Sequence, residues 1–503
     1  MYKADLGQPE FEDFYLPFGG RIRSDNRWVV LSKFMPWDAI EEKYAQKFSR
    51  TRMGAPAKPA RVAIGALIIK ERGNFSDDEV ALQIQENPYL QYFLGYAEYC
   101  DKKPFNPTMM VHFRKRFSLE ELNEINEMLN EKYREWLKAH QPETADDETQ
   151  DDDDDPPNSG QLILDATCAP ADITYPTDLK LLNDAREKSE QIIDILHAPL
   201  KGSMEKVRTY RQNARRDFLR VAKKKRLRKK ELHKGIGKQL RYLRRNLKHI
   251  KTLVKYSNLS LLSKDLYNKL LVIHEVYRQQ NIMYRKKTNK IEHRIVNLSQ
   301  PHVRPIVRGK VGAQTEFGAK LTISVTNSFV FLERLSWENY NESVDFISQV
   351  ESYKEKYGYY PESVHADKIF RTRVNLNFCK QNEIRFTGKP LGRPRKEEKI
   401  SKQEKLAAKR QQQFDEGLRN TVEGKFGQAK RRFGLGRIMA KQAGTSETEI
   451  GICLIVLNLE KCLKDIFLSI FQYAYYSLKA VIETINSCCL NSPGFRCQFI
   501  WIK

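Results

Sequence analysis

A run of five aspartates interrupts the chain and constrains its fold more than any other feature. Residues 151–155 are all aspartate, and Pro156 and Pro157 follow them directly. Like charges at this density repel one another, and consecutive prolines do not fit inside a helix or a central strand. The sequence therefore predicts an extended, disordered acidic linker over residues 141–160 that separates two folded parts of the 503-residue chain.

The part before the linker, residues 1–140, has the pattern of a helical domain. Apolar residues recur at helical spacing over residues 61–95, and residues 76–79 supply a helix cap with an acidic first turn. A basic edge follows at residues 114–116. These features fit a DNA-binding domain and a dimerisation domain equally well, so both alternatives stay open.

Basic residues concentrate in one segment behind the linker. Residues 201–255 contain 22 Lys or Arg against three acids, and this surplus makes up most of the chain's net charge of +23. Apolar side chains at heptad spacing run through the segment and recur over residues 266–277. The pattern predicts a basic helical insertion over residues 181–298, built as an antiparallel coiled-coil hairpin. Its outer face would neutralise phosphates without reading sequence; a solvated coiled coil is the alternative.

The overall composition narrows the class of protein. A pI near 9.5 indicates a polyanionic partner, either nucleic acid or an anionic membrane surface. The apolar stretch near the C-terminus is broken by charges, and the N-terminus has no signal-peptide core. We therefore expect a cytoplasmic protein with no membrane partner. The eight cysteines show no zinc-binding spacing.

Three carboxylates stand out in the part after the linker. Asp165 ends a short apolar strand, Asp367 ends a second one, and Glu423 lies on a late charged helix. Side chains at strand ends converge at the edge of a mixed sheet. Two Asp and one Glu meeting there can hold two divalent metal ions about 3.5–4 Å apart, the arrangement used for in-line phosphodiester chemistry. Oxygen ligands favour Mg²⁺ or Mn²⁺.

The helix carrying Glu423 also carries cations on the same face. At about 100° per residue, Arg419, Glu423 and Lys430 fall within about 40° of one another. Such a face presents a metal ligand between two cations that can bind DNA phosphates. The alternative is a surface ion pair between Arg419 and Glu423, which contributes only about 0.3–0.5 kcal/mol.

Further cations are predicted to contact DNA. Lys425 and Arg371 lie near the proposed metal ligands in sequence. Arg393 lies in a short basic motif, residues 391–396, of the kind that enters a narrow minor groove. A plain basic loop explains that motif equally well.

Several stretches together resemble one family, the DDE transposases of bacterial insertion sequences in the insertion-sequence-five superfamily. The resembling stretches include "LILDATCAPADITYPTDLKLLNDARE", "HADKIFRTRVNLNFCKQNEIRFTGKPLGRP" and "RNTVEGKFGQAKRRFGLGRI". The helical N-terminal stretch over residues 65–95 resembles that family as well. The likeness covers roughly residues 30–460 and keeps the family's motif order.

The resemblance implies a fold of class α+β or α/β. A helical N-terminal domain would precede an RNase H-like mixed-sheet catalytic domain over residues 161–465, and residues 466–503 would form a C-terminal tail. It also implies that Asp165, Asp367 and Glu423 are the metal-binding triad. The family's R-x(3)-E-x(6)-K signature is met, but its usual tyrosine falls at Glu416.

The activity implied is metal-dependent cleavage of DNA at the element's ends, followed by strand transfer into target DNA. Two Mg²⁺ or Mn²⁺ ions per site are expected. The partners would be double-stranded DNA, as terminal inverted repeats and target, and a second copy of the chain or more. The protein would act in the bacterial cytoplasm, associated with the nucleoid. A non-catalytic, decayed or domesticated DNA-binding protein and a stand-alone RNase H-like nuclease are the alternatives.

Overall fold

A computed structural model describes residues 14–16, 20–48, 56–140, 157–307, 315–388 and 402–490. Residues 141–156 of the predicted linker and Arg393 lie outside the described residues. The chain divides into two compact units. The first comprises Met1–Asp153, Thr326–Phe331 and Gly451–Lys503. The second comprises Asp154–Val325 and Leu332–Ile450.

Short helices make up the N-terminal part of the first unit. They are α1 (Arg27–Phe34), α2 (Trp37–Ala45), α3 (Ala60–Gly73), α4 (Asp77–Glu86), α5 (Pro88–Phe93), α6 (Met109–Arg116) and α7 (Leu119–His140). Helix α4 begins as predicted, because the Ser76 side chain accepts a hydrogen bond from the Glu79 amide at 3.1 Å. Helix α3 is buried along almost its whole length and forms the centre of this core.

Buried asparagines tie the other segments of the first unit together. The Asn458 side chain accepts from the Val330 amide at 2.9 Å and donates to the Asn126 side chain at 2.8 Å. Asn126 donates in turn to the Val330 carbonyl at 2.9 Å. All polar atoms in this small network are satisfied by one another, which is what allows them to be buried.

The second unit contains a mixed sheet. Its strands are β1 (Gln161–Pro170), β2 (Arg304–Val307), β3 (Thr315–Thr326), β4 (Phe329–Ser336), β5 (Ser363–Ala366) and β6 (Arg385–Phe386). The strand order is β2-β3-β1-β5-β6, and β4 also pairs with β3. Strand β1 is antiparallel to β3 and parallel to β5. The tip of the β3–β4 hairpin belongs to the first unit.

Strand β1 is longer than the sequence predicted. The apolar run over residues 162–164 was expected to end the strand at Asp165, but β1 continues to Pro170. Residues 166–169 are buried and pair with β3, so this second half of the strand is held by the neighbouring strand and not by its own apolar run. Asp165 therefore lies in the middle of β1. The parallel pairing between β1 and β5 ends one residue earlier, at the pair formed by Leu164 and Ala366.

The basic insertion is a bundle of four helices. They are α8 (Asp178–His197), α9 (Arg211–Ala222), α10 (Lys229–Leu253) and α11 (Lys264–Lys286). Seam residues of α10 and α11 are buried as predicted, but they share one apolar cluster with α8. The predicted hairpin is thus one part of a larger bundle, because α8 packs against the same apolar seam.

The remaining helices are α12 (Phe346–Tyr357), α13 (Arg373–Gln381), α14 (Lys402–Arg432) and α15 (Ala443–Leu490). The boundary predicted between residues 465 and 466 falls inside α15. Among the described residues, no helix combines the length and the apolar character needed to cross a membrane. Helices with a six-stranded mixed sheet confirm the predicted α+β class.

Candidate active site

Two neighbouring parallel strands bring two of the predicted carboxylates together. Leu164 of β1 pairs with Ala366 of β5, so the next residue of each chain segment, Asp165 and Asp367, lies one step further in the same register. Paired strands lie about 4.8 Å apart, and residues in register point to the same face. Asp165 is half-buried, whereas the Asp367 side chain is 57% exposed.

Both aspartates are held by local backbone contacts. Asp165 Oδ1 accepts a hydrogen bond from the Ala166 amide at 2.7 Å. Asp367 Oδ1 accepts one from the Lys368 amide at 2.7 Å, where a short turn begins after β5. Asn375 donates to the Phe370 carbonyl at 2.8 Å and fixes the end of that turn.

Helix α14 supplies the third carboxylate because an adjoining face of the helix is apolar and packs inward. Val422, Phe426, Ala429 and Phe433 recur every three or four residues and are buried. The chain after α14 is anchored to the end of β1, since the amide of Ile438 donates to the Pro170 carbonyl at 2.8 Å. Packing and anchor together leave Glu423 on the exposed side of the helix.

The three carboxylates line one cavity of about 410 Å³. Three different elements contribute them: Asp165 from β1, Asp367 from the end of β5 and Glu423 from α14. Arg419 and Lys430 line the same cavity, as their spacing on the helix predicts. The cavity is completed by Leu164, Ala166, Thr167, Phe426 and Gly427.

Arg419 pairs with a carboxylate from another element. Its Nη1 lies 3.3 Å from Asp367 Oδ1. Within the described part of the chain, no hydrogen bond or ion pair engages the Glu423 carboxylate. The alternative of a surface ion pair between Arg419 and Glu423 is therefore not what the structure shows, and Glu423 faces the cavity without a direct ion-pair contact to a described residue.

The donor set fits a hard divalent cation. Carboxylate oxygens are the ligands that Mg²⁺ and Mn²⁺ prefer, and three carboxylates border the cavity. As the side chains stand, no three His, Cys, Asp or Glu residues among those described converge closely enough to hold an ion. Asp367 is instead turned to Arg419, and both side chains are exposed enough to rotate at little cost.

The other predicted DNA contacts are placed differently. Lys425 lies about 200° around the helix from Glu423 and does not line the cavity. Arg371 lines a neighbouring cavity of about 430 Å³ that shares Arg419 with the first. Its guanidinium donates to the Thr387 carbonyl at 2.8 Å, so part of its donor capacity is already used. Burial also lowers the pKa of Arg371.

Some residues at these cavities were not singled out from the sequence. Thr167 lies two residues after Asp165 on β1, and Gly427 lies four residues after Glu423 on α14. Strand and helix periods would have placed both on the faces of the predicted ligands. Lys368 lines the neighbouring cavity and directly follows Asp367.

A buried histidine lies beneath Asp367. His365 is fully buried on β5, and its ring contacts the hydroxyls of Ser363 at 3.1 Å and Thr387 at 3.2 Å. Burial lowers its pKa. The hydroxyl contacts fix the ring and with it the strand that ends at Asp367.

Comparisons with known proteins match the two ends of the chain to one class. Residues 364–460 match the family described as "Transposase DDE domain". Residues 17–116 match the family described as "Transposase domain (DUF772)". The first match contains Asp367 and Glu423 and begins after Asp165.

A relative from Rhizobium meliloti, described as the uncharacterized protein ORF8 in the nfe locus, is 28% identical over 153 residues. The match covers 30% of this chain and 66% of that protein, just under two thirds of its length. No solved structure matches the chain.

Proposed function

We propose that this chain, which is a DDE transposase of the insertion-sequence type, cuts DNA at the ends of its element and joins the freed 3′ ends to target DNA. The observation that carries the proposal is the cavity shared by Asp165, Asp367 and Glu423. Three acids that are far apart in sequence and come from three elements border one space, with two cations beside them. Asp367 pairs with Arg419, whereas Glu423 has no ion-pair partner among the described residues.

Transposase DDE domains depend on divalent metal ions. In this chain Asp165, Asp367 and Glu423 would hold two ions, Mg²⁺ or Mn²⁺. When bound, such a pair lowers the pKa of the attacking water or 3′-hydroxyl and stabilises the leaving oxygen.

The cations on α14 would position the DNA. Arg419 and Lys430 lie eleven residues apart, about 16 Å along the helix, with Glu423 between them. Each can donate to phosphate oxygens, Arg419 with two parallel hydrogen bonds. Arg419 would leave Asp367 for a phosphate when DNA enters, and this exchange frees the carboxylate for its own role. Phe426 and Leu164 form an apolar wall that limits water around the reacting strand.

The partners follow from the reaction. The DNA would be double-stranded, comprising the element's terminal inverted repeats and the target. Because this DNA belongs to the bacterial nucleoid, the protein would act there. Two ends must be joined in one event, so we propose a homodimer or larger assembly in the DNA complex. In this proposal residues 1–140 recognise the element's ends.

A strand-transfer assay tests the proposed reaction. Labelled duplexes carrying the DNA that flanks the coding region are incubated with target DNA and Mg²⁺. Asp165→Ala, Asp367→Ala and Glu423→Ala should each abolish joined product while leaving DNA binding intact. Glu355→Ala is the matched control, because Glu355 is an exposed acid on α12 that lines neither cavity.

The assay also separates the alternatives. Hydrolysed ends without any joined product from the unchanged protein would identify a nuclease. Binding without either product would identify a non-catalytic DNA-binding protein. Full activity in any one of the three variants would refute the role proposed for that residue.

A further inference from the structure

The exposed face of α10 carries a stripe of cations that the proposed chemistry does not use. Its members are Lys230, Lys234, Arg241, Arg244, Lys248 and Lys251, and every one is exposed. At about 100° per residue they fall within an arc of about 100°. At 1.5 Å per residue the stripe is about 32 Å long. We refer to these six residues as the α10 stripe.

Several acids of the insertion pair with cations outside the stripe. Asp217 lies 2.8 Å from Lys238, and Glu231 lies 2.9 Å from Lys224. Asp194 pairs with Arg211 at 2.9 Å. Among the described residues, no carboxylate lies within ion-pair distance of any member of the α10 stripe. The six charges of the α10 stripe are therefore not compensated by ion pairs with the described carboxylates.

The rest of α10 is fixed by packing, so the stripe is held in place. Leu243 and Ile250 are buried in the cluster shared with α8 and α11. Gln239 donates to the Ala214 carbonyl of α9 at 3.0 Å. Arg245 lies just outside the stripe, and its guanidinium sits 4.6 Å from the centre of the Tyr210 ring. The bundle thus presents a rigid row of cations.

We propose that the α10 stripe binds the sugar-phosphate backbone of duplex DNA, without reading its sequence. The inference rests on the proposed function, because it names a contact that holds DNA outside the catalytic cavity. A row about 32 Å long matches about nine base pairs at 3.4 Å per pair. Lys and Arg contacts to phosphate fix position and orientation and carry no sequence information.

The chemistry of the face favours duplex DNA over other polyanions. Single-stranded nucleic acid is bound by combining cations with aromatic side chains on which bases stack, and no exposed residue of α10 is aromatic. Helices that lie in a membrane surface insert an apolar face, whereas the apolar face of α10 is buried inside the bundle. The exposed cations of the α10 stripe suit phosphates spaced along a rigid duplex.

The test uses the full chain and a labelled duplex of arbitrary sequence in EDTA, with binding followed by fluorescence anisotropy across a salt series. The stripe variant is Arg241→Ala, Arg244→Ala and Lys248→Ala together. The control variant is Lys201→Ala, Lys286→Ala and Lys380→Ala, which removes the same charge from exposed, scattered positions of the same unit. Alanine is a good helix former, so all three stripe positions tolerate it.

We expect the stripe variant to lower the slope of log K against log salt by about 2.7, and to weaken binding roughly 10- to 100-fold near physiological salt. The control variant should change the slope by less than about 1. Equal effects of both variants, or no effect of the stripe variant, would overturn the proposal. Stronger stripe-dependent binding to single-stranded DNA or to phosphatidylserine vesicles than to duplex DNA would overturn it as well.

A Mn²⁺ titration separates this inference from the proposed function. The stripe variant should bind Mn²⁺ as the unchanged protein does, because the stripe and the acid-lined cavity share no residue. Loss of duplex binding with Mn²⁺ binding retained supports the α10 stripe even if the strand-transfer assay fails. Loss of Mn²⁺ binding in this variant would show general damage to the unit and count against the proposal.

Discussion

Arg419 has two acids within reach, and the structure pairs it with the more distant one in sequence. Helix periodicity makes Glu423 its neighbour on α14, yet its guanidinium contacts Asp367 at 3.3 Å. This contact places a positive charge beside a proposed metal ligand. Arg419 therefore competes with a cation for Asp367, and the competition is weak because both side chains are exposed.

This competition gives a prediction. Arg419→Ala should raise the affinity for Mn²⁺ by about 1.4- to 5-fold, since exposed pairs are worth about 0.2–1 kcal/mol. The same variant should bind element-end DNA more weakly, because a phosphate contact is lost. Isothermal titration measures the first effect and anisotropy the second. Arg410→Ala is the control, being an exposed arginine of the same helix that lines neither cavity; a lower Mn²⁺ affinity of Arg419→Ala would contradict the account.

His302 predicts a pH dependence of stability. Its ring packs edge-on against Trp337 with centres 4.4 Å apart, and its Nε2 has no hydrogen-bond partner among the described residues. Burial, with a smaller effect of Arg304, lowers the pKa of His302 to about 4. Between that value and about 6.5 the unfolded chain binds the proton and the folded one does not. Stability therefore rises with pH across this window.

The free energy of unfolding should thus be about 1–2 kcal/mol lower at pH 5 than at pH 7 on account of His302. His302→Phe keeps an aromatic contact with Trp337 and removes the titration. Urea unfolding at both pH values should show a smaller difference in this variant, with a remainder from His365, whose pKa is also lowered. An unchanged pH dependence would contradict the assignment.

At the residue scale the three acids that the sequence singles out border one cavity, but not all of their partners could be predicted. Asp165, Asp367 and Glu423 were singled out from strand and helix patterns, and they border one cavity. The pairing of Arg419 with Asp367 could not be predicted, because periodicity describes neighbours within one helix only. Arg371 was expected to contact DNA, and its use in binding the Thr387 carbonyl depends on a tertiary contact.

At the scale of elements, glycines test the packing of β1 against β3. A methyl group on Gly318 of β3 would lie 2.0 Å from the carbonyl oxygen of Ala169, and backbone atoms cannot move aside cheaply. Gly318→Ala should therefore lower the free energy of unfolding by about 2–3 kcal/mol. A change smaller than about 0.5 kcal/mol in urea unfolding would contradict this packing.

Gly417 of α14 is the matched control for the same substitution. Nothing lies within 4 Å of a methyl group placed there. Gly417→Ala should raise the free energy of unfolding by about 0.5–1 kcal/mol, because alanine restricts the unfolded chain and favours the helix. Destabilisation by this change would show that α14 is not helical at that position.

The elements themselves were predictable where one pattern decides them. The seams of α10 and α11 follow from heptad spacing, and both are buried as expected. The second half of β1 was missed, because residues 166–169 lack the apolar alternation that marks a strand and are held by β3 instead. The role of α8 in the bundle was missed for a similar reason: spacing within a segment does not reveal which neighbour covers it.

At the scale of the whole molecule, positive charge is concentrated in one segment. The chain's net charge is +23, and the insertion carries most of it. In the proposed account the acid-lined cavity performs the chemistry and the α10 stripe carries the surrounding duplex. The charge surplus of the insertion predicts a polyanionic partner, whereas the acid-lined cavity was predicted from strand-end and helix positions and from the family resemblance.

The account also predicts an assembly. A duplex carrying two element ends should bind two chains or more, because both ends must meet in one reaction. Light scattering coupled to size-exclusion chromatography gives the mass of the complex directly. A single-ended duplex is the control. A complex of one chain that still joins two ends would contradict the proposed dimer.

The central claim is that Asp165, Asp367 and Glu423 bind metal together, and a Mn²⁺ titration of the full chain with duplex DNA tests it most directly. We predict saturable binding by the unchanged protein and by Glu355→Ala, and loss of that binding in Asp165→Ala, Asp367→Ala and Glu423→Ala. Mn²⁺ binding that is unchanged in all three variants, or absent from the folded, DNA-bound parent protein, would contradict the claim.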